Sequence, residues 1–113
     1  MKEAITDEMM MQVLSTTKVY TLVVLRKGSK YGEGNAQQII WEHVRQNLSL
    51  RADGILSIVC PVKDGSEMAG ISIFDADATQ TKNIMDNDPA VKKDVLVYEI
   101  HPTRSFPKDS LPE

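Results

Sequence analysis

The chain has 113 residues, 42% hydrophobic and 26% charged, which is one domain's worth of ordinary globular composition. Thirteen Lys and Arg against sixteen Asp and Glu leave a net charge of −3. That balance argues against a nucleic-acid partner, which calls for a basic surplus, and against a polybasic membrane anchor. The single cysteine, Cys60, excludes an internal disulfide, and no Cys/His cluster has the spacing of a zinc site. A reduced, cytoplasmic setting is the expectation. The acidic residues Glu3, Asp7 and Glu8 do not fit a secretory signal, and no apolar run approaches the roughly 18 residues of a membrane span.

Residues 1–17 form an N-terminal arm. Ile5, Met9 and Val13 recur every fourth position, which predicts a short helix packed on the domain or on a partner subunit; the alternative is a frayed tail. Residues 18–106 carry the domain. Val19 to Arg26 is rich in β-branched and aromatic side chains and apolar on both faces, the pattern of a central strand covered on both sides. Gly28 to Asn35 holds three glycines and reads as a flexible loop, with the makings of a lid. It lacks the spacing of a phosphate-binding loop.

From Ala36 to Leu50 the period changes. Apolar residues at 36, 40, 44 and 48, widened by Ile39 and Leu50, draw one face of an amphipathic helix. Asp53-Gly54 closes it, with Gly54 free to take a left-handed turn. Ile55 to Cys60 is a second strand ended by Pro61, and Met68 to Phe74 a third, paired with the second as a hairpin. Asp77 with Gln80 three residues on begins a helix over about 78–85. Asp88-Pro89 breaks it, Asp88 capping a further short turn. Val95 to Ile100 is the last strand, ended by His101-Pro102. From Thr103 onward there is little apolar surface, and 107–113 is a C-terminal tail.

The order strand, helix, strand, strand, helix, strand is the split βαβ arrangement, an α+β ferredoxin-like βαββαβ fold with a four-stranded antiparallel sheet and helices on one face. The other sheet face is then bare, yet the first strand is apolar on both sides. A second subunit is the expected cover, hence a homodimer or higher even oligomer.

His43 lies inside the apolar arc of the first long helix and points toward the sheet. Asn47 sits one turn later on the same face, where a buried amide needs partners. Trp41 lies at the edge of the arc and reads as packing, at a subunit interface. Cys60, late in a strand and without a basic neighbour, reads first as an inert hydrophobe. Asp88 reads first as a helix cap, a role that uses one carboxylate oxygen and leaves the other free.

His43 on the first long helix, Gly54 before a strand ending in Pro61, Asp86-Asn87-Asp88-Pro89-Ala90-Val91, and Val97-Tyr98-Glu99-Ile100-His101-Pro102 form an ordered set. Over roughly Lys18 to Phe106 this set resembles the YCII-related proteins. The resemblance implies a dimeric α+β barrel with two sheets packed face to face. It also implies a catalytic dyad of a helix His and the Asp before Pro, which here match His43 and Asp88, with Asp86 the less favoured partner. Asn47 and Cys60 are the candidates for substrate contact. The expectation for a buried His43 oriented by Asp88 is proton transfer, in an elimination or isomerisation, on a small aromatic or lactone-like molecule without cofactor or metal; the alternative is a noncatalytic binding or structural dimer. Cys60 stands where the family often has Gly, and the arm and the Gly28–Asn35 loop are additional, so the substrate class does not carry over.

Overall fold

The computed structural model describes residues 4–113. The elements are α1 (Asp7–Leu14), β1 (Lys18–Lys27), α2 (Ala36–Ala52), β2 (Leu56–Pro61), β3 (Met68–Phe74), α3 (Ala78–Asp86), α4 (Pro89–Lys92) and β4 (Leu96–Ser105). The four strands form one antiparallel sheet in the order β2-β3-β1-β4, which places β1 in the interior as its two apolar faces predict. β2 and β3 are the expected hairpin. The fold is the α+β ferredoxin-like arrangement.

Burial along β1 alternates with the pleat. Thr21, Val23 and Leu25 are buried, and their register partners Phe74, Ser72 and Gly70 on β3 are buried with them. Ala36 of α2, Met85 of α3 and Ala90 of α4 complete that core with Leu56, Val95 and Leu96. The other row is different. Tyr20, Leu22 and Val24 are half-exposed, as are Ile58, Cys60 and Ile73, and Ile71 is exposed. Pairing of Leu22 with Ile73, Val24 with Ile71 and Cys60 with Ile71 gathers these residues into one apolar face.

Local signals account for the element ends. Asp77 accepts a hydrogen bond from the Gln80 amide at 2.7 Å, and Gly54 takes φ 79° after α2. Gly28 is required by close approach: a Cβ there would lie 2.3 Å from the Asp94 carbonyl oxygen. The loop that follows is held at its start, because the Gly28 amide donates to Val95 O and the Lys30 amide to Asp94 O. The flexibility read from its glycines therefore does not extend to its base.

The last strand departs from expectation. β4 does not end at His101-Pro102 but pairs with β1 as far as Ser105 opposite Lys18. Proline is tolerated there because β4 is an edge strand and need not donate on its outer side. Arg104 then grips the start of β1, donating from Nε to Thr17 Oγ1 and from Nη2 to Thr17 O, each at 3.0 Å.

The predicted arm helix forms as α1, capped by Thr6. It buries none of its residues, so it is not packed on its own domain. Residues 1–3 of the arm lie outside the described residues. No helix among the described residues is long and apolar enough to cross a membrane.

Candidate functional site

α4 is a four-residue turn that exists to aim Asp88. Pro89 fixes φ at its first position. Asp88 Oδ1 accepts from the Ala90 amide at 2.8 Å and the Val91 amide at 3.3 Å, while the Asp88 carbonyl accepts from the Lys92 amide. The cap consumes one carboxylate oxygen and fixes the direction of the other. That other oxygen, Oδ2, lies 2.6 Å from His43 Nδ1 on α2. Both side chains are buried, His43 at 8% and Asp88 at 1% exposure.

The arrangement dictates the imidazole's tautomer. A carboxylate has no proton to give, so Nδ1 carries the hydrogen and donates it to Asp88. Nε2 is then left with its lone pair. Asn47, one turn along α2, places its Nδ2 3.2 Å from Nε2 and donates to it. Asp88, His43 and Asn47 thus form one chain of hydrogen bonds, running from the backbone of α4 to the edge of a cavity.

That cavity, of about 380 Å³, lies between α2 and the sheet. His43 and Asn47 line it with Ile40, Val44 and Leu48 of α2, and Val59, Gly70, Ser72 and Leu96 of the sheet form its floor. The walls are chiefly apolar, with Lys63 and Tyr31 also lining it. Small residues account for the space. Gly70, in register between Leu25 and Pro61, gives the helix-facing side of β3 no side chain there. Any Cβ at Gly70 would also sit 3.0 Å from the Cys60 carbonyl oxygen.

Of the residues singled out from sequence, His43, Asp88 and Asn47 are brought together. Asp86 is not their partner: it accepts from Lys82 Nζ at 2.6 Å and from the Tyr98 hydroxyl at 2.5 Å. Cys60 borders the cavity, but its register partner is Ile71, on the sheet face away from α2. Trp41 is 61% exposed, outside the packed arc. Gly70, Ser72 and Tyr31 were not foreseen. The legible signal was Gly70, since a glycine inside a strand marks a close backbone approach or missing bulk. Among the described residues no group of three or more His, Cys, Asp or Glu stands close enough to hold a metal ion.

No protein-family model matches the chain, and no curated protein matches it. Among solved structures, 5-chloro-2-hydroxyhydroquinone dehydrochlorinase from Burkholderia phenoliruptrix AC1100, in complex with 2,5-dihydroxybenzoquinone, is similar at 18% identity and a TM-score of 0.49. The likeness covers 73% of this chain and 90% of that one, and it concerns the course of the chain alone.

Proposed function

We propose that His43 is a general base and acid acting on a small molecule in the cavity beneath α2, with Asp88 holding its tautomer and stabilising its charged form. The observation that supports this is the 2.6 Å contact of Nδ1 with a buried, doubly capped carboxylate, while Nε2 is directed to Asn47 at the cavity lining. Asp88 stabilises the imidazolium that forms when Nε2 takes a proton. An apolar cavity keeps water from competing for it. The residues fit proton transfer, as in an elimination or isomerisation, on a small aromatic or lactone-like molecule, in keeping with the resemblance to YCII-related proteins. The apolar sheet face formed by Leu22, Val24, Ile71 and Ile73 supports a homodimer closed face to face.

One observation favours a second reading, a noncatalytic binding dimer. The Nε2 lone pair already accepts from Asn47, so His43 and Asn47 together also suit holding a ligand without reacting with it.

The test begins with small aromatic acids, enols and lactones that raise the melting temperature. Each stabilising compound is then incubated with the protein in D2O and its exchangeable C–H positions followed by NMR. The wild type is expected to wash deuterium in, and His43→Gln to slow this by about 10²- to 10⁴-fold. Stabilising compounds that neither exchange nor convert in the wild type overturn the catalytic reading in favour of the binding one.

A further inference from the structure

α1 is a well-made helix that buries none of its residues against the described part of the chain. Thr6 caps its start, accepting from the Met9 amide at 3.2 Å. Its C-terminal carbonyls are taken by three successive hydroxyls: Ser15 donates to Gln12 O, Thr16 to Val13 O and Thr17 to Leu14 O. Arg104 fixes the exit to β1. Yet an eight-residue helix is marginal in water unless a face is packed. Here Met9, Met10, Val13 and Leu14 lie on one side of the helix, at 36%, 49%, 51% and 57% exposure. At 100° per residue these four fall within less than half a turn, the geometry of a docking face rich in adaptable methionine.

A matching surface exists elsewhere in the chain. On the flank of α2 beside the cavity, Trp41, Val44 and Leu48 stand about one turn apart at 61%, 37% and 56% exposure, and with Arg45 they line a shallow groove. Charge agrees with shape. Residues 4–17 contain Asp7 and Glu8 and no basic residue. Arg45 at the groove has a side chain 68% exposed and, among the described residues, is paired with Glu42 of its own helix, at 3.3 Å. Since α1 buries none of its residues, it is not seated on its own α2.

We infer that the Met9–Leu14 face of α1 seats in the Trp41–Val44–Leu48 groove of a second copy of this chain, with its acidic first turn against that copy's Arg45. The contact is separate from the open sheet face, so it adds to pairing through that face. It also reaches the cavity, because Val44 and Leu48 line both the groove and the chamber beneath His43. An arm seated there walls one side of the cavity with another copy's residues. None of this depends on the chemistry proposed for His43.

Trp41 is the chain's single tryptophan, and its fluorescence reports occupancy of the groove directly. The full chain is compared with Met10→Lys/Leu14→Lys, whose changes touch no buried residue and whose fold is checked by circular dichroism. The expected result is blue-shifted, quencher-shielded emission in the full chain, with red-shifted and quenchable emission in the variant. Sedimentation should show a smaller assembly for the variant. A mixing experiment identifies the donor copy. The arm variant, which keeps Trp41, is refolded together with a Trp41→Phe chain that keeps its arm, and shielding of the Trp41 signal should return. Solvent-like emission in the full chain overturns the inference. So does shielding that the arm variant leaves unchanged. Shielding that is lost in the variant but not restored on mixing means docking within one chain and overturns it equally.

Discussion

His43 and His101 each stand beside a carboxylate, and the contrast between the two pairs shows what makes one of them a candidate site. His101 Nε2 lies 3.0 Å from Glu99 on the edge strand β4, with side-chain exposures of 54% and 43%. Glu99 also receives the Arg26 guanidinium at 2.9 Å, so its charge is shared. His43 and Asp88 have exposures of 8% and 1%, a contact of 2.6 Å, and a second set of backbone donors on the same carboxylate. Pairing alone is therefore not informative. Water and salt screen the outer pair, and its side chains give up rotamer freedom to form it. The inner pair is held by structure on both sides, and each partner has nowhere else to turn if the other is removed.

The largest expected effect follows from that difference. Asp88→Ala leaves the buried Nδ1–H without an acceptor and the Ala90 and Val91 amides without a cap. It should lower unfolding stability by about 2–4 kcal/mol in urea titrations, the combined range for an unsatisfied buried donor and a lost cap. Asp88→Asn keeps an acceptor for the cap and removes the charge, and is expected to cost clearly less. Glu99→Ala should not move the midpoint measurably. If Asp88→Ala and Glu99→Ala proved alike, burial would not be what distinguishes the two pairs.

Much of this was legible in the sequence, for identifiable reasons. Period and capping placed α2, α3 and α4, because each carries an unbroken stripe or an Asp at its start. The inward direction of His43 followed from its position among Ala36, Ile40 and Leu50. The double role of Asp88 was legible as a possibility of valence, since a cap uses one oxygen. That α4 brings this carboxylate to α2 is a tertiary fact, which local pattern does not contain. The run of β4 through Pro102 was missed because proline stops a central strand but not an edge, and edge position depends on the sheet order. The cavity was missed because it is made by what Gly70 and Ser72 lack. Cys60, read first as an inert hydrophobe and second as a substrate contact, borders the cavity, while the pleat pairs it with Ile71 on the other face.

A buried polar group without a partner provides the opposite case to His43. Thr81 on α3 is fully buried, and its Oγ1 has no hydrogen-bond partner among the described residues. Thr81→Val keeps the shape and removes the unsatisfied hydroxyl, so it should raise stability by about 1 kcal/mol. The same deletion of polarity at His43, as His43→Leu, leaves the Asp88 Oδ2 charge buried alone and should be destabilising. Opposite signs in thermal or urea unfolding would sharpen the distinction between a satisfied and an unsatisfied buried group. A destabilised Thr81→Val would mean that the hydroxyl has a partner.

Tyr98 supplies an intermediate case, half-buried and bonded to an exposed carboxylate. Burial and its hydrogen bond to Asp86 push the Tyr98 phenol up to about 12 from an ordinary value of 10.0. Raised in the folded state, it contributes stability that is fully present below pH 10 and lost as pH rises through about 12. Unfolding followed at increasing alkaline pH should show a decline over that window that Tyr98→Phe lacks. An identical decline in the variant would remove Tyr98 as its source.

The smallest effect belongs to the outer pair and lies at the opposite end of the pH scale. His101, and then Arg26, hold the Glu99 carboxyl below its ordinary value of 4.5. The pKa is depressed by folding, so the sign is the reverse of that for Tyr98. The contribution is present above 4.5 and disappears as pH falls through the lower folded value. Its contact with solvent keeps it small, and added salt should erase it, because charges at the surface are screened within a Debye length. The measurement is the acid-side slope of stability in low and high salt, for the wild type and for Glu99→Gln. In a single copy, where the pair is open to solvent, the two proteins should differ slightly in low salt and coincide in high salt; the face-to-face homodimer proposed above would lie over this pair, because Glu99 and His101 are the register partners of Val24 and Leu22 on the face it closes. A difference that survived high salt would mean that this pair is shielded from solvent. A second copy lying over the sheet face that carries Leu22, the register partner of His101, would produce that shielding.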